Sequence, residues 1–218
     1  PERNGDILHA HLDAIYEEAI NNPKKDIWSE IARLEIEGRV ITHEEFRGIA
    51  SVILAGGRDT VVKLITGAIW HFGRNPDDFE YLRQNPDRID AAIQELLRFL
   101  TPNPAMVRST VPESTVEELP DDRYVQISFL SGNFDETVFE KPFELNIRRE
   151  RNPHVSFGFG PHTCIGNHVT EIEARVFLQT LLDSGVRWEV SDSSKIHFYG
   201  GAMVAVPAEF ESLFVRIR

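Results

Sequence analysis

The run from residue 43 to about residue 72 limits what this chain can fold into more than any other stretch. Ile49, Val52, Ile53, Leu54, Val61, Val62, Leu64, Ile65 and Ile69 fall on nearly every side of a helical wheel. Such a pattern belongs to a long helix that crosses the centre of a fold. Thr42-His43-Glu44-Glu45 opens it as a capping box, with Thr42 at N-cap and Glu45 at N3. Midway the pattern is interrupted. Gly56-Gly57-Arg58-Asp59-Thr60 sets two poor helix formers and a charged pair among apolar residues, and each glycine costs about 1 kcal/mol relative to alanine. One reading is a packing notch with Arg58 and Asp59 paired or reaching to solvent. The other is a local distortion that opens a groove and aims the Thr60 hydroxyl and Asp59 carboxyl into it.

The remaining helices are read from the same periodicity. Residues 6–20 carry Ile7, Leu8, Leu12, Ile15, Tyr16, Ala19 and Ile20 at helical spacing, and Asn21-Asn22-Pro23 stops them. A short helix over 27–37 buries Trp28, Ile31 and Leu34 and ends at Gly38. Asn75-Pro76 and Asn85-Pro86 punctuate helices over 76–84 and 87–100, and Thr101-Pro102-Asn103-Pro104 turns the chain into strands near 105–110 and 123–129. Residues 130–163 contain no clear helix or strand, which in a stretch so long points to function. A helix over 167–182 follows, buried through Val169, Ile172, Val176, Phe177 and Leu181, with a Glu171/Arg175 pair on its outer side. The tail alternates in short strand-like runs at Val186–Val190, Ile196–Tyr199, Ala202–Val206 and Leu213–Ile217.

Acidic residues outnumber basic ones 35 to 23, a formal charge of -12, which argues against a nucleic-acid partner or an anionic membrane surface. A single cysteine excludes an internal disulfide or a paired-cysteine zinc framework. No apolar run reaches the roughly 18 residues of a membrane span. These features predict a soluble, cytoplasmic-type protein.

That one cysteine sits in Phe157-Gly158-Phe159-Gly160-Pro161-His162-Thr163-Cys164-Ile165-Gly166, just before the helix over 167–182. A lone cysteine is ordinarily a small buried hydrophobe. Glycines on both sides and a helix N-terminus beyond argue instead for an exposed sulfur that favours the thiolate. The stretch resembles the cysteine-ligand signature of the cytochrome P-450 family, Phe-Gly/Ser-x-Gly-x-His/Arg-x-Cys-x-Gly/Ala, at every constrained position. The resemblance implies that Cys164 is the proximal thiolate ligand of a haem b iron, within a mainly α fold carrying small β-sheets.

Gly56-Gly57-Arg58-Asp59-Thr60 likewise resembles the Ala/Gly-Gly-x-Asp/Glu-Thr element of that family's distal helix. It implies that O2 binds beside Gly56 and Gly57, with Thr60 and Asp59 delivering the protons its cleavage consumes. An acid–Thr pair in place of Arg-Pro favours O2 driven by partner electrons over a peroxygenase. Glu95-Leu96-Leu97-Arg98 stands where the family has Glu-x-x-Arg, a structural lock of Glu95 and Arg98 completed by an arginine, Arg149 or Arg148. The resemblance also makes Arg108 and His162 donors to haem carboxylates, and Phe157, Gly158 and Gly166 part of the cofactor's seat. Gly132-Asn133-Phe134-Asp135 is similar to the family's Asn-Arg-Asp turn with phenylalanine for arginine, which weakens a local salt bridge. The stretch between Arg108 and Tyr124 is shorter than the family's hairpin, with Asp121-Asp122 after Pro120. Arg148, Arg149 and Arg151 form a basic cluster, either paired internally or a docking patch for a ferredoxin-type electron donor.

The resemblance covers residues 1–218 as a single, incomplete C-terminal portion of that fold, its N-terminal part absent from this chain. It implies a monooxygenase inserting one oxygen atom into a small apolar molecule. The alternatives are a truncated haem-binding protein or scaffold without turnover, and a cysteine nucleophile with His162 as its base.

Overall fold

Helix α1, Gly5–Asn21, is closed at its end by Asn22, and α2, Ile27–Ile31, is opened by Asp26, whose carboxylate accepts from the Ser29 amide at 2.8 Å. The computed structural model describes residues 5–111, 123–200 and 206–218. The helix read over 27–37 is corrected here: it stops at Ile31, and a two-stranded hairpin follows, β1 (Glu35–Ile36) against β2 (Arg39–Val40). Glu37 and Gly38 both take left-handed backbone, φ 53° and 77°, the requirement of a tight two-residue hairpin turn. Gly38 thus serves a hairpin rather than a helix end, and Leu34 is exposed.

Helix α3 runs from His43 to Arg74. Its capping box forms, with Glu45 N–H donating to Thr42 Oγ1 (3.2 Å) and Thr42 N–H to Glu45 Oε2 (2.7 Å). The chain divides into two compact units at Arg58, inside this helix. In residues 1–58 the core is Leu12, Ile31, Ile41, Phe46 and Ala50, with Tyr16 stacked on His43 at 4.4 Å. In residues 59–218 the same helix contributes Leu64, Ala68 and Phe72, an i, i+4, i+8 row. The all-round burial expected from its composition is corrected: Val52, Leu54 and Val62 are exposed. Each unit takes one stripe of the helix into its core, and apolar composition alone does not say which.

The core of residues 59–218 is built on α5, Ile89–Leu100, nearly every residue of which from Ala92 onward is buried. Helix α4, Pro76–Gln84, and a 3-10 turn at Pro86–Arg88 lead into it. The loop region 130–163 is likewise corrected, since it contains the end of a short helix, α6 (Phe129–Asn133), and a 3-10 turn at Gly160–His162. Helix α7, Asn167–Asp183, packs on α5 through Ala174, Leu178 and Leu182. Val169, Ile172 and Val176, read as buried, are exposed. The helix carries two apolar rows, and the core selects the one with the small Ala174. Glu171 and Arg175 do not pair with each other: Glu171 accepts from Gln94 at 2.9 Å and Arg175 meets Asp90, so both brace α5.

Four two-stranded antiparallel sheets complete the described residues. β1–β2 is the first. β3 (Ala105–Ser109) pairs with β4 (Tyr124–Ser128), placing Arg108 opposite Val125. β5 (Trp188–Val190) pairs with β8 (Val215–Ile217), and β6 (Lys195–Phe198) with β7 (Pro207–Ser212). Strand β7 has no counterpart in the sequence reading. The expected strand at Ala202–Val206 lies mostly outside the described residues, as do Pro120, Asp121 and Asp122. Among the described residues, no helix is long and apolar enough to cross a membrane.

Candidate cofactor site

The site is built outward from a pair of charges with no access to water. Glu95 and Arg98 are each fully buried on α5, a placement tolerated only when every polar atom is matched. Arg98 donates Nε to Glu95 Oε2 (2.8 Å) and Nη2 to Glu95 Oε1 (2.9 Å). Its remaining donors reach the carbonyls of Asn133 and Pro142, each at 2.8 Å, and Glu144 at 3.1 Å. Glu95 also accepts from Arg149 Nε (3.0 Å), Asn152 Nδ2 (2.8 Å) and the Asn146 amide (2.9 Å). Of the two arginines left open by the sequence, Arg149 joins Glu95, whereas Arg148 reaches Asp78 at 2.6 Å.

Phe134, which stands where an arginine was expected, lays its ring 5.3 Å from the Arg98 guanidinium and packs on Phe99 and Phe143. An aromatic face thus takes the place of a charged contact.

Asn133 carries this network toward the cysteine. It is fully buried; its amide donates to Thr101 Oγ1 (2.9 Å) and Ser156 Oγ (2.8 Å), and its oxygen accepts from the Val155 amide at 2.8 Å. Ser156 in turn donates to the Leu97 carbonyl at 2.7 Å. Sequence reasoning noted the turn around Asn133 but did not single it out. Its signal was an amide residue beside a glycine at the end of a short helix.

The loop then closes on itself. Gly158 donates to Val155 O (2.9 Å), Thr163 to Gly160 O (3.0 Å) and Cys164 to Phe157 O (2.8 Å). Gly158 has φ +72°, and a Cβ there would lie 3.2 Å from the His162 carbonyl oxygen, so a side chain would be strained by the backbone and crowded by that carbonyl. Phe157 packs partly buried on the core beneath the loop. Cys164 is exposed, as are Phe159 (89%) and Ile165 (97%) in the same loop. It precedes Gly166, the N-cap of α7, by two residues. His162 is exposed in the 3-10 turn, and Arg108 lies half-buried on β3, its guanidinium on the Val107 carbonyl at 3.0 Å.

On α3 the helix continues through Gly56 and Gly57. A Cβ at either glycine would meet nothing within 4 Å. Residues 55–59 are exposed and Thr60 is half-buried. Gly56 and Gly57 belong to the first unit, Asp59 and Thr60 to the second.

The donor set fits a flat metal-bearing ring better than a bare ion. One exposed thiol, on a loop that also exposes Phe159 and Ile165, offers a single ligand beside apolar surface. Among the described residues, no group of three or more His, Cys, Asp or Glu side chains could chelate a metal. The fold and loop together define a mainly α scaffold that carries one exposed sulfur on a glycine-rich loop ahead of a helix.

The family follows from comparison. The profile described as Cytochrome P450 matches residues 88–209, more than half of the chain, and the chain belongs to that family. The Steroid C26-monooxygenase of Mycolicibacterium smegmatis is 29% identical over 194 residues, covering 88% of this chain and 48% of the relative. The Linalool 8-monooxygenase of Pseudomonas putida is 29% identical over 183 residues, 83% of this chain and 45% of the relative. A solved structure, that of a carbohydrate active P450, superposes with a TM-score of 0.86 at 30% identity, covering 97% of this chain and 57% of that one. The chain spans about half the length of the curated relatives it matches.

Proposed function

We propose that this chain supplies the thiolate-bearing part of a haem-thiolate monooxygenase that inserts one oxygen atom from O2 into a small apolar molecule. The observation that carries the reading is Cys164, exposed on a loop whose base is tied to the buried Glu95–Arg98 pair. The relatives named Steroid C26-monooxygenase and Linalool 8-monooxygenase support it. A cytoplasmic setting, where thiols stay reduced, suits a lone sulfur ligand.

Haem b, when bound, supplies the oxidising chemistry, strengthened by electron donation from the thiolate. The chain's own residues then have separate tasks. Cys164 would hold the metal, and Phe157, Gly158 and Gly166 would shape the backbone of the loop that carries it. Arg108 and His162 donate to the cofactor's carboxylates, a charge-assisted contact. Gly56 and Gly57 leave side-chain-free room on α3 for dioxygen. Thr60 Oγ1 holds a proton, and the exposed Asp59 replenishes it from solvent. Glu95, Arg98 and Arg149 fix the base of the loop. Electrons arrive singly from a ferredoxin-type donor. Arg148 and Arg149 are engaged with Asp78 and Glu95, so of the three clustered arginines Arg151 is the one this reading assigns to docking.

Thr60→Ala tests the assignment in the haem-loaded protein with an electron donor. Product per electron is expected to fall several-fold while peroxide release rises. Unchanged coupling contradicts the proton-holding role. A thiolate-bound haem that never turns over any apolar substrate favours the binding scaffold instead.

A further inference from the structure

At the root of the cysteine loop, a half-buried histidine is held in one tautomer by polar groups that lead to the surface. The Ser156 amide donates to His154 Nδ1 at 3.2 Å. That nitrogen therefore carries the lone pair, and the proton sits on Nε2. Nε2 lies 2.8 Å from Gln94 Oε1 and is the donor. With its oxygen so engaged, Gln94 turns its amide nitrogen to Glu171 Oε1 at 2.9 Å. Three links thus join the loop, α5 and α7 in series.

The series has a direction. If the Gln94 amide flipped, its NH2 would face the Nε2–H, two donors opposed. If the imidazole changed tautomer to suit, Nδ1–H would face the Ser156 N–H. Either rearrangement sets a half-buried donor against another donor, which is unfavourable. Burial pushes the His154 pKa down to about 4; Glu171 and Glu95 pull it up and Arg98 pulls it down. The ring is accordingly neutral near pH 7, as both of its hydrogen bonds require. The outer end opens on a cleft of about 350 Å³ between α5 and α7, lined by Asp90, Gln94, Glu171, Ile172 and Arg175 among others.

The Glu95–Arg98 network reaches the loop by another route, through Asn133 and Ser156. His154 is a second fastener, meeting the first at Ser156, and its outer anchor is a carboxylate at the surface. We propose that Gln94 and Glu171 are positioning residues that fix the His154 tautomer and thereby set how firmly the loop bearing Cys164 is held on α5. The link to cofactor retention rests on Cys164 being the metal ligand; the mechanical coupling does not.

Amide hydrogen exchange over residues 155–164, with nitrogen NMR of the His154 ring, tests this in the full chain. Gln94→Leu is expected to speed exchange in that segment about tenfold, the scale of one buried hydrogen bond, and to mix the two tautomers. Exchange in α4 should stay unchanged. Glu171→Ala should give a smaller acceleration in the same segment, and Glu171→Gln, which keeps an acceptor oxygen, should restore protection. Exchange within twofold of wild type in Gln94→Leu and Glu171→Ala, with one tautomer throughout, overturns the proposal. If Gln94→Leu does not fold, Glu171→Ala with its Glu171→Gln rescue decides alone. Faster exchange in Gln94→Leu together with a carbon monoxide spectrum that Cys164→Ser leaves unchanged would refute the ligand role of Cys164 and leave the coupling standing.

Discussion

Arg98→Lys keeps the buried charge and removes the guanidinium fork, so it isolates geometry from electrostatics. Arg98 makes five hydrogen bonds: two to Glu95 and one each to the carbonyls of Asn133, Pro142 and Glu144. A lysine ammonium has three donors on one atom. At least two of the five buried, charge-assisted hydrogen bonds are lost, each at about 1–3 kcal/mol. The expected loss is therefore about 2–6 kcal/mol, a large share of the roughly 5–15 kcal/mol that holds a domain folded. With a urea slope of about 2 kcal/mol/M, the midpoint should drop by about 1–3 M. Urea unfolding followed by circular dichroism measures it. Because three of the acceptors lie between Asn133 and Glu144, exchange of amides in that segment should accelerate before α7 loosens. A midpoint within about 0.3 M of wild type would mean the fork is dispensable, and the reasoning from buried acceptors would fail.

Thr42→Ala removes the side-chain acceptor that caps α3; a loss of about 1 kcal/mol is expected, with exchange at the first turn of that helix as the readout and an unchanged turn as the contrary result. Asp78 gives a pH signature. Burial pushes its carboxyl up, but hydrogen bonds from His71 and Arg148 outweigh this and hold it below the usual 3.8. A folded pKa below the unfolded one stabilises above the unfolded value, and the gain is lost as pH falls through both. The urea-midpoint advantage of wild type over Asp78→Asn should thus shrink between about pH 5 and pH 3; a constant difference would contradict the pairing.

What the sequence made legible was local or strongly stereotyped. The Thr42/Glu45 box is a contact between residues three apart, and it forms as read. The glycine-braced cysteine loop and the Glu95–Arg98 spacing are likewise short-range patterns. What escaped was the choice among partners that only the folded chain brings near. Gly38 was equally good punctuation for a helix end or a hairpin, and the neighbouring Glu37 in left-handed backbone decided it. Helix α7 offers two apolar rows, and packing on α5 took Ala174, Leu178 and Leu182. Arg175 had Glu171 four residues away and Asp90 across the interface; it meets Asp90. The joining role of Asn133, and His154 altogether, escaped for the same reason, since each acts through atoms more than twenty residues distant.

The central claim is that the sulfur of Cys164 binds the metal of a haem. The direct measurement is the absorption spectrum of the haem-loaded protein, reduced and exposed to carbon monoxide, for wild type and Cys164→Ser. Wild type should show the red-shifted band of a thiolate-ligated haem, and Cys164→Ser should lose it while its circular dichroism still reports folded helices. A red-shifted band that survives the substitution, or one that wild type never shows, would contradict the account.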